Sequence, residues 1–261
     1  MNQLALALIL APVVLAAYAY AGYPALLRLA ATLRPKREPA RAAAEWPSIS
    51  ISLPVYNEAA QIRGVIERLL ELDYPAERRQ ILVISDASTD GTDDVVREYE
   101  GRGVELLRLS ARNGKTAAEN AARPYLRGDI VVNTDASIRI HPGALKPLLA
   151  AFDDPRVGVA SGRDVSVART DADSNSAESG YVGYEMGVRA LETSIDSIVG
   201  ASGCFYAIRA HLHRTYLPDS LSRDFAAALV AREHGFRAVS VDEAVCFVPR
   251  TGSLQREYRR Y

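Results

Sequence analysis

The sequence predicts an α/β domain built on a mostly parallel sheet and preceded by one membrane-spanning helix. Three observations carry that expectation. No charged residue occurs from Met1 to Leu27. From residue 48 onward, short β-branched runs alternate with stretches of helical periodicity. Polar residues recur where those strands end. The chain as a whole has 261 residues, 48% hydrophobic and 24% charged, with a net charge of −1. That balance excludes a disordered chain and lacks the basic excess of a nucleic-acid binder. Two cysteines, Cys204 and Cys246, make neither a disulfide scaffold nor a structural zinc site.

The first element is the apolar run that ends near Leu27. At about 1.5 Å per residue, roughly twenty such residues cross a hydrocarbon core about 30 Å thick. Tyr18, Tyr20 and Tyr23 stand near its end, where amphipathic rings favour an interface, and Pro12 predicts a kink. Arg28, Arg34, Lys36, Arg37 and Arg41 follow, opposed only by Glu38. This basic collar predicts a single-pass anchor in the cell (inner) membrane with everything after it cytoplasmic, in keeping with two free thiols. A secretory signal would carry its basic residues before the apolar run, and here none precedes it.

Residues 1–34 are thus the anchor and 35–47 a Pro-, Ala- and Arg-rich linker. The run 49–55 is a buried strand, and 58–72 carries Ile62, Val65, Ile66, Leu69 and Leu70 at helical spacing. The run 81–85 is a second strand, after which Thr89 or Asp90 caps a helix. A third strand at 104–109, a helix at 115–126 distorted by Pro124, and a fourth strand at 129–135 complete this half. Sheets of this kind bind ligands beyond the carboxyl ends of their strands, where Asn57, Glu58, Asp86 and Asp135 fall. The second half is less regular. Strands are expected at 157–161, 164–168, 204–208, 238–241 and 245–248. Helices are expected at 174–194 and 223–234, the latter with Phe225, Leu229 and Val230 inward. His211 and His213 read as surface residues without a third metal ligand nearby, and Tyr181, Tyr184 and Glu185 as cleft or core residues.

A set of motifs resembles the family 2 glycosyltransferases of GT-A fold, in the membrane-bound bacterial form. They are Pro54-Val55-Tyr56-Asn57-Glu58, Ser85-Asp86-Ala87-Ser88-Thr89-Asp90-Gly91-Thr92, Gly114-Lys115-Thr116-Ala117-Ala118-Glu119-Asn120 and Thr134-Asp135-Ala136-Ser137. Gly200-Ala201-Ser202-Gly203, Phe205-Tyr206-Ala207-Ile208-Arg209, Arg223-Asp224-Phe225 and Gly22-Tyr23-Pro24 extend the match over nearly the whole chain. The resemblance implies inverting transfer of a sugar from a nucleotide-diphosphate donor, a UDP-sugar, to an acceptor hydroxyl. The acceptor implied is a glycan or lipid of the envelope, or a polysaccharide.

The resemblance also implies roles. Pro54, Asn57, Glu58 and Asp86 surround the nucleotide, with Asp86 accepting from the base. Lys115 faces the diphosphate, and Asp135 holds Mg²⁺ or Mn²⁺ against it. Asp224 is the general base, and Gly203, Cys204 and Arg223 lie on the acceptor side. Three departures stand out. Ser137 replaces the second acid of the metal motif, which weakens the donor set for a hard cation. Arg223 replaces the first acid of the catalytic pair, placing a cation expected to lower the pKa of the base. The run Glu257-Tyr258-Arg259-Arg260-Tyr261 only loosely echoes the Gln-x-x-Arg-Trp of processive members. The expected catalytic domain is therefore 48–250, and 251–261 the start of an interfacial segment in a truncated chain. A non-catalytic nucleotide-sugar-binding relative is the alternative. A nucleotidyltransferase is disfavoured by the absence of a Gly-rich basic loop after the first strand.

Overall fold

The computed structural model describes residues 3–33, 45–167 and 176–249. The expected linker falls largely outside these residues, and the expected interfacial segment wholly so. The chain begins with α1 (Gln3–Ala17), a π-helical turn (Tyr18–Gly22) and α2 (Tyr23–Thr32). Leu8–Thr32 is long and apolar enough to cross a membrane. The helix runs through Pro12, and its irregularity falls instead at the tyrosine-rich π turn. A proline costs less where the surrounding helix stays regular and a neighbouring turn absorbs the misfit.

The domain then alternates as β1 (Ile49–Val55), α3 (Ile62–Leu70), β2 (Arg79–Ser85), α4 (Thr92–Arg97), β3 (Val104–Arg108), α5 (Lys115–Ala122) and β4 (Ile130–Thr134). There follow β5 (Arg139–Ile140), α6 (Leu145–Ala150), β6 (Val157–Val167), α7 (Ser176–Ile195), β7 (Phe205–Arg209), α8 (Ala210–His213), α9 (Arg223–Glu233) and β8 (Arg237–Pro249). One eight-stranded sheet has the order β3-β2-β1-β4-β7-β6-β8-β5. β3, β2, β1 and β4 run parallel, with Ile51 level with both Ile81 and Val132. β7 enters antiparallel between β4 and β6, so the sheet is mixed. Parallel strands covered on both faces read as unbroken apolar runs, and β1 and β2 are buried almost end to end.

Helices cover both faces. Ile62, Val65, Ile66 and Leu69 of α3 join Leu145 and Leu148 of α6 against Ile49, Ile51 and Leu53. On the other face α5 lies on β1 and β2 and α9 on β6 and β8, with Ala118, Ala122, Ala226, Ala227 and Ala231 in the shared core. Alanine faces let these two helices come close to the sheet. That corrects the expected inner face of α9: Val230 is buried, but Phe225 and Leu229 are about half exposed (52% and 50%). Two glycines mark close approaches. A Cβ on Gly128 would lie 2.4 Å from the Ile49 carbonyl carbon, and one on Gly162 2.4 Å from the Phe205 ring. Gly162 also lies at the register shift that joins the two strands expected at 157–161 and 164–168 into one β6. β8 likewise replaces the expected pair of strands at its position.

The expected helical residues of α3 are the ones buried, although the helix starts only at Ile62. Residues 58–61 instead form a turn in which the Glu58 carbonyl accepts from Gln61 and Ile62. Asp90 does serve the start of α4, since its Oδ1 accepts from the Thr92 amide at 3.0 Å. α5 ends at Ala122, and Pro124 lies in a following 3₁₀ turn, as its missing N–H requires.

The N-terminal helix is seated on the domain. Tyr23 Oη donates to Glu192 Oε1 at 2.6 Å, Tyr184 Oη donates to the Ala19 carbonyl at 2.5 Å, and the Tyr20 and Tyr184 rings lie 5.2 Å apart. Tyr184 thus docks the N-terminal helix on the domain. Glu185 pairs with Arg189 one turn on, and Tyr181 is exposed.

Candidate active site

The carboxyl ends of β1, β2 and β4 open to one side of the sheet, and the expected residues gather there in two groups. The first surrounds Asp86. Its Oδ1 accepts the Asn113 amide at 2.9 Å and its Oδ2 the Gly114 amide at 2.8 Å. Asp86 therefore shapes the loop that leads into α5, and each oxygen keeps a lone pair for a ligand. Asn57 is left-handed (φ 55°), and its Oδ1 accepts the Thr89 amide at 2.8 Å. The Glu58 amide donates to Thr92 Oγ1 at 2.8 Å, while its carboxylate accepts from Gln61. Asn57 and Glu58 thus lock the loop after β1 to the loop after β2. Pro54 lies within β1, level with Ile84. Arg112 stacks over the Tyr56 ring at 3.9 Å, two neighbours for which the sequence reading gave no role.

The second group lies where α5 and α9 begin. Lys115 Nζ donates to Asp135 Oδ1 at 2.6 Å and to the Gly203 carbonyl at 3.0 Å. Burial pushes the Asp135 carboxyl up, and Lys115 beside it only partly offsets this. Burial also opposes the Lys115 ammonium, but Asp135 and Glu119 hold its pKa above the ordinary value. The turn bearing Gly203 is fixed from behind. Ser202 Oγ donates to Asp164 Oδ1 at 2.7 Å and accepts the Cys204 and Phe205 amides. Cys204 is part-buried, and burial first, then Asp164, pushes its thiol up to about 12, which makes it a poor nucleophile.

Asp224 closes the cleft in the first turn of α9, whose N-cap is Ser222. Its Oδ1 accepts from Ser222 Oγ and from the Phe225 amide at 2.9 Å. Its Oδ2 faces Gly203 so closely that a Cβ there would lie 2.8 Å away. Gly203→Ala should therefore leave the fold intact and displace the Asp224 carboxylate. Activity is expected to fall by roughly one to two orders of magnitude at an unchanged melting temperature, since a misplacement of about 1 Å costs that much. Wild-type turnover in this variant would remove Asp224 Oδ2 from the chemistry.

The Arg223 guanidinium is not turned towards the Asp224 carboxylate as expected. Its side chain turns inward and is 5% exposed, below α5. Nη1 donates to the His213 carbonyl at 3.2 Å and Nη2 to Asn120 Oδ1 at 2.5 Å, while Nε lies 3.6 Å from Glu119 Oε2. Arg223 and Asp224 both line the cleft, but their hydrogen-bond partners differ, and no contact joins the guanidinium to the Asp224 carboxylate. Glu119, quoted in a motif but given no role, is buried. Burial pushes its carboxyl up to about 7 against the pull of Lys115 and Arg223. Lys115, Thr116, Glu119, Tyr206, Asp219 and Asp224 are among the residues that line a cleft of about 260 Å³ here.

His213 corrects another expectation. It is 1% exposed, on helix α8, with Nε2 3.3 Å from Asn133 Oδ1. Burial, then Arg223, lowers its pKa from 6.5 to about 3. The folded chain therefore keeps this imidazole neutral while the unfolded chain takes up a proton below about pH 6.5. Acidification from pH 6.5 towards 3 thus favours unfolding, by at most about 1.4 kcal/mol per pH unit from this group. His213→Gln should flatten the fall of melting temperature between pH 6.5 and 4.5. An unchanged slope would contradict this.

No group of three or more His, Cys, Asp or Glu side chains poised for a metal occurs among the described residues. A divalent cation would rest on Asp135 alone, with water and the donor phosphates supplying its other ligands. That fits Mg²⁺ or Mn²⁺ carried by a diphosphate and does not fit a site built from protein ligands.

The mixed sheet with helices on both faces is the GT-A fold of glycosyltransferases, as its likeness to solved structures shows. The family model for glycosyl transferase family 2 matches residues 50–214, and the chain belongs to that family. A probable glycosyltransferase of Bacillus subtilis, YdaM, is 29% identical over 135 residues, 48% of this chain and 32% of that protein. A beta-monoglucosyldiacylglycerol synthase of Synechocystis is 29% identical over 117 residues, 43% of this chain and 24% of the synthase. The chain thus spans a third or less of the length of these two relatives. Among solved structures, the mannosyltransferase PcManGT of Pyrobaculum calidifontis, in complex with GDP-Man and Mn²⁺, superposes with a TM-score of 0.74 at 26% identity. That match covers 93% of this chain and 70% of the other. TarS of Staphylococcus aureus in complex with UDP-GlcNAc shares the fold, with a TM-score of 0.59 at 18% identity over 78% of this chain and 59% of TarS.

Proposed function

We propose that the chain is a membrane-anchored, inverting glycosyltransferase that moves a sugar from a nucleotide-diphosphate donor to an acceptor hydroxyl of an envelope glycan, lipid or polysaccharide. The observation that carries this reading is the Lys115 ammonium held between Asp135 and the Gly203 carbonyl, with Asp224 across the same cleft. The donor diphosphate lies along Lys115 and Asp135, and its base lies towards Asp86, Asn57 and Glu58. A Mg²⁺ or Mn²⁺ ion on Asp135, when bound, neutralises charge on the departing diphosphate. Lys115 holds that charge from the protein side. Asp224 takes the proton of the acceptor hydroxyl as its oxygen bonds to the anomeric carbon and the bond to the diphosphate breaks. Gly203 leaves room for this carboxylate, and Cys204 lines the acceptor side without reacting.

The basic collar after Leu27 favours a cytoplasmic catalytic domain in the inner membrane. UDP-sugars are the first donor class, through Asp86. GDP-sugars are the second, because the Pyrobaculum neighbour holds GDP-Man. Thermal unfolding of the full-length chain with UDP, GDP, UDP-GlcNAc and GDP-mannose, each with and without Mn²⁺, tests the reading. Ligand at roughly 100 times its Kd should stabilise by about 2.7 kcal/mol, and Mn²⁺ should enlarge the shift. Absence of any shift with all four would overturn the donor site.

A further inference from the structure

The two helices that carry the proposed catalytic groups are joined beneath the cleft. Lys115 and Glu119 are one turn apart on α5, and Arg223 and Asp224 are neighbours at the start of α9. The chain entering α9 is tied to α5 at several points. Thr116 Oγ1 donates to the Leu221 carbonyl at 2.8 Å. Asn120 Nδ2 donates to the Leu217 carbonyl at 2.8 Å and to Asp219 Oδ1 at 3.1 Å. Arg223 completes the seam through Asn120 and the His213 carbonyl. At its centre the Arg223 Nε and Glu119 Oε2 atoms are buried without a hydrogen-bond partner, 3.6 Å apart. Lys115 and Arg223 both draw Glu119 towards its charged form, and a buried charge is costly unless paired.

We propose that Glu119 and Arg223 act as a positioning pair, fixing the first turn of α9 on α5 and so aiming the Asp224 carboxylate at the Lys115–Asp135 side of the cleft. This rests on the reading of Asp224 as the base. Both residues lie at the cleft wall almost fully buried, and the pair acts through the first turn of α9. Arg223 holds the backbone that Asp224 hangs from, and Glu119 keeps Arg223 turned inward. Losing Glu119 leaves the Arg223 guanidinium buried without a carboxylate, and losing Arg223 leaves Glu119 with Lys115 alone, and either imbalance loosens the seam or draws in water. Losing both removes the imbalance, so the two substitutions are coupled.

The test uses the full-length chain with Glu119→Gln, Arg223→Met, the double variant and Asp224→Asn. Release of nucleoside diphosphate from UDP-GlcNAc and GDP-mannose gives kcat, calorimetry gives the Kd of UDP and GDP, and amide exchange is read over residues 213–224. Each single variant should lower kcat by roughly tenfold or more, with nucleotide Kd within about twofold and faster exchange over 213–224. The double variant should be no slower than the worse single. Additive losses, wild-type kcat in both singles, or a Kd that weakens in step with kcat would overturn the pair. If Asp224→Asn turns over like wild type, the base assignment fails instead. If wild type releases neither nucleotide, exchange decides the pair: no change over 213–224 in either single variant overturns it.

Discussion

Asp224→Asn should reduce kcat by roughly 10²- to 10⁴-fold while leaving nucleotide binding intact. Asparagine preserves the shape of the side chain and can still accept the Phe225 amide and the Ser222 hydroxyl through its carbonyl oxygen. It cannot take a proton from an attacking hydroxyl. Its amide would face Gly203, where Oδ2 now lies, so the cleft keeps its form and the change is confined to the chemical step. The expected signature is a fall in kcat with an unchanged Kd for nucleoside diphosphate and an unchanged melting temperature. Wild-type kcat in this variant would rule out Asp224 as the base and would favour a chain that binds nucleotide sugar without turning it over.

Lys115→Met should act on the donor side instead. Methionine keeps much of the unbranched stem but removes the ammonium that bridges Asp135 Oδ1 and the Gly203 carbonyl. Two costs follow. On the proposed reading the donor diphosphate loses a cation, and the part-buried Asp135 carboxylate loses its partner. Charge-assisted contacts of this kind support a loss of donor affinity of roughly 10- to 100-fold, about 1.4–2.8 kcal/mol. With the ammonium gone from Oδ1, Asp135 is freer to hold a divalent cation, so turnover should depend more steeply on Mn²⁺. Titrating donor at several Mn²⁺ concentrations checks both effects. Unchanged donor affinity would place the diphosphate elsewhere.

Much of the parallel half of the fold is legible because its signals are local. β1 and β2 announce themselves as β-branched runs, and α3 by apolar spacing that survives as its buried face. The candidate site is legible for the same reason, since Asp86, Lys115 and Asp135 stand at ends of such elements. What escapes depends on contacts distant in sequence. The antiparallel entry of β7 leaves no mark on its own residues. The inward face of α9 is decided by how close its alanines come to the sheet, which outweighs the size of Phe225 and Leu229. His213 looks like a surface residue, and Arg223 like a cation beside Asp224, until Asn133, Glu119 and Asn120, roughly 80 to 100 positions away, supply their partners. A glutamate set among alanines in α5 is the one signal that pointed to the buried seam.

Single displacement at the anomeric carbon, with Asp224 as base, is tested most directly by the configuration of the first product. Proton NMR can follow the sugar transferred or released from an α-linked nucleotide sugar by the full-length chain, before mutarotation. A β-configured first product, lost in Asp224→Asn, is the expected result, and an α-configured product would contradict it.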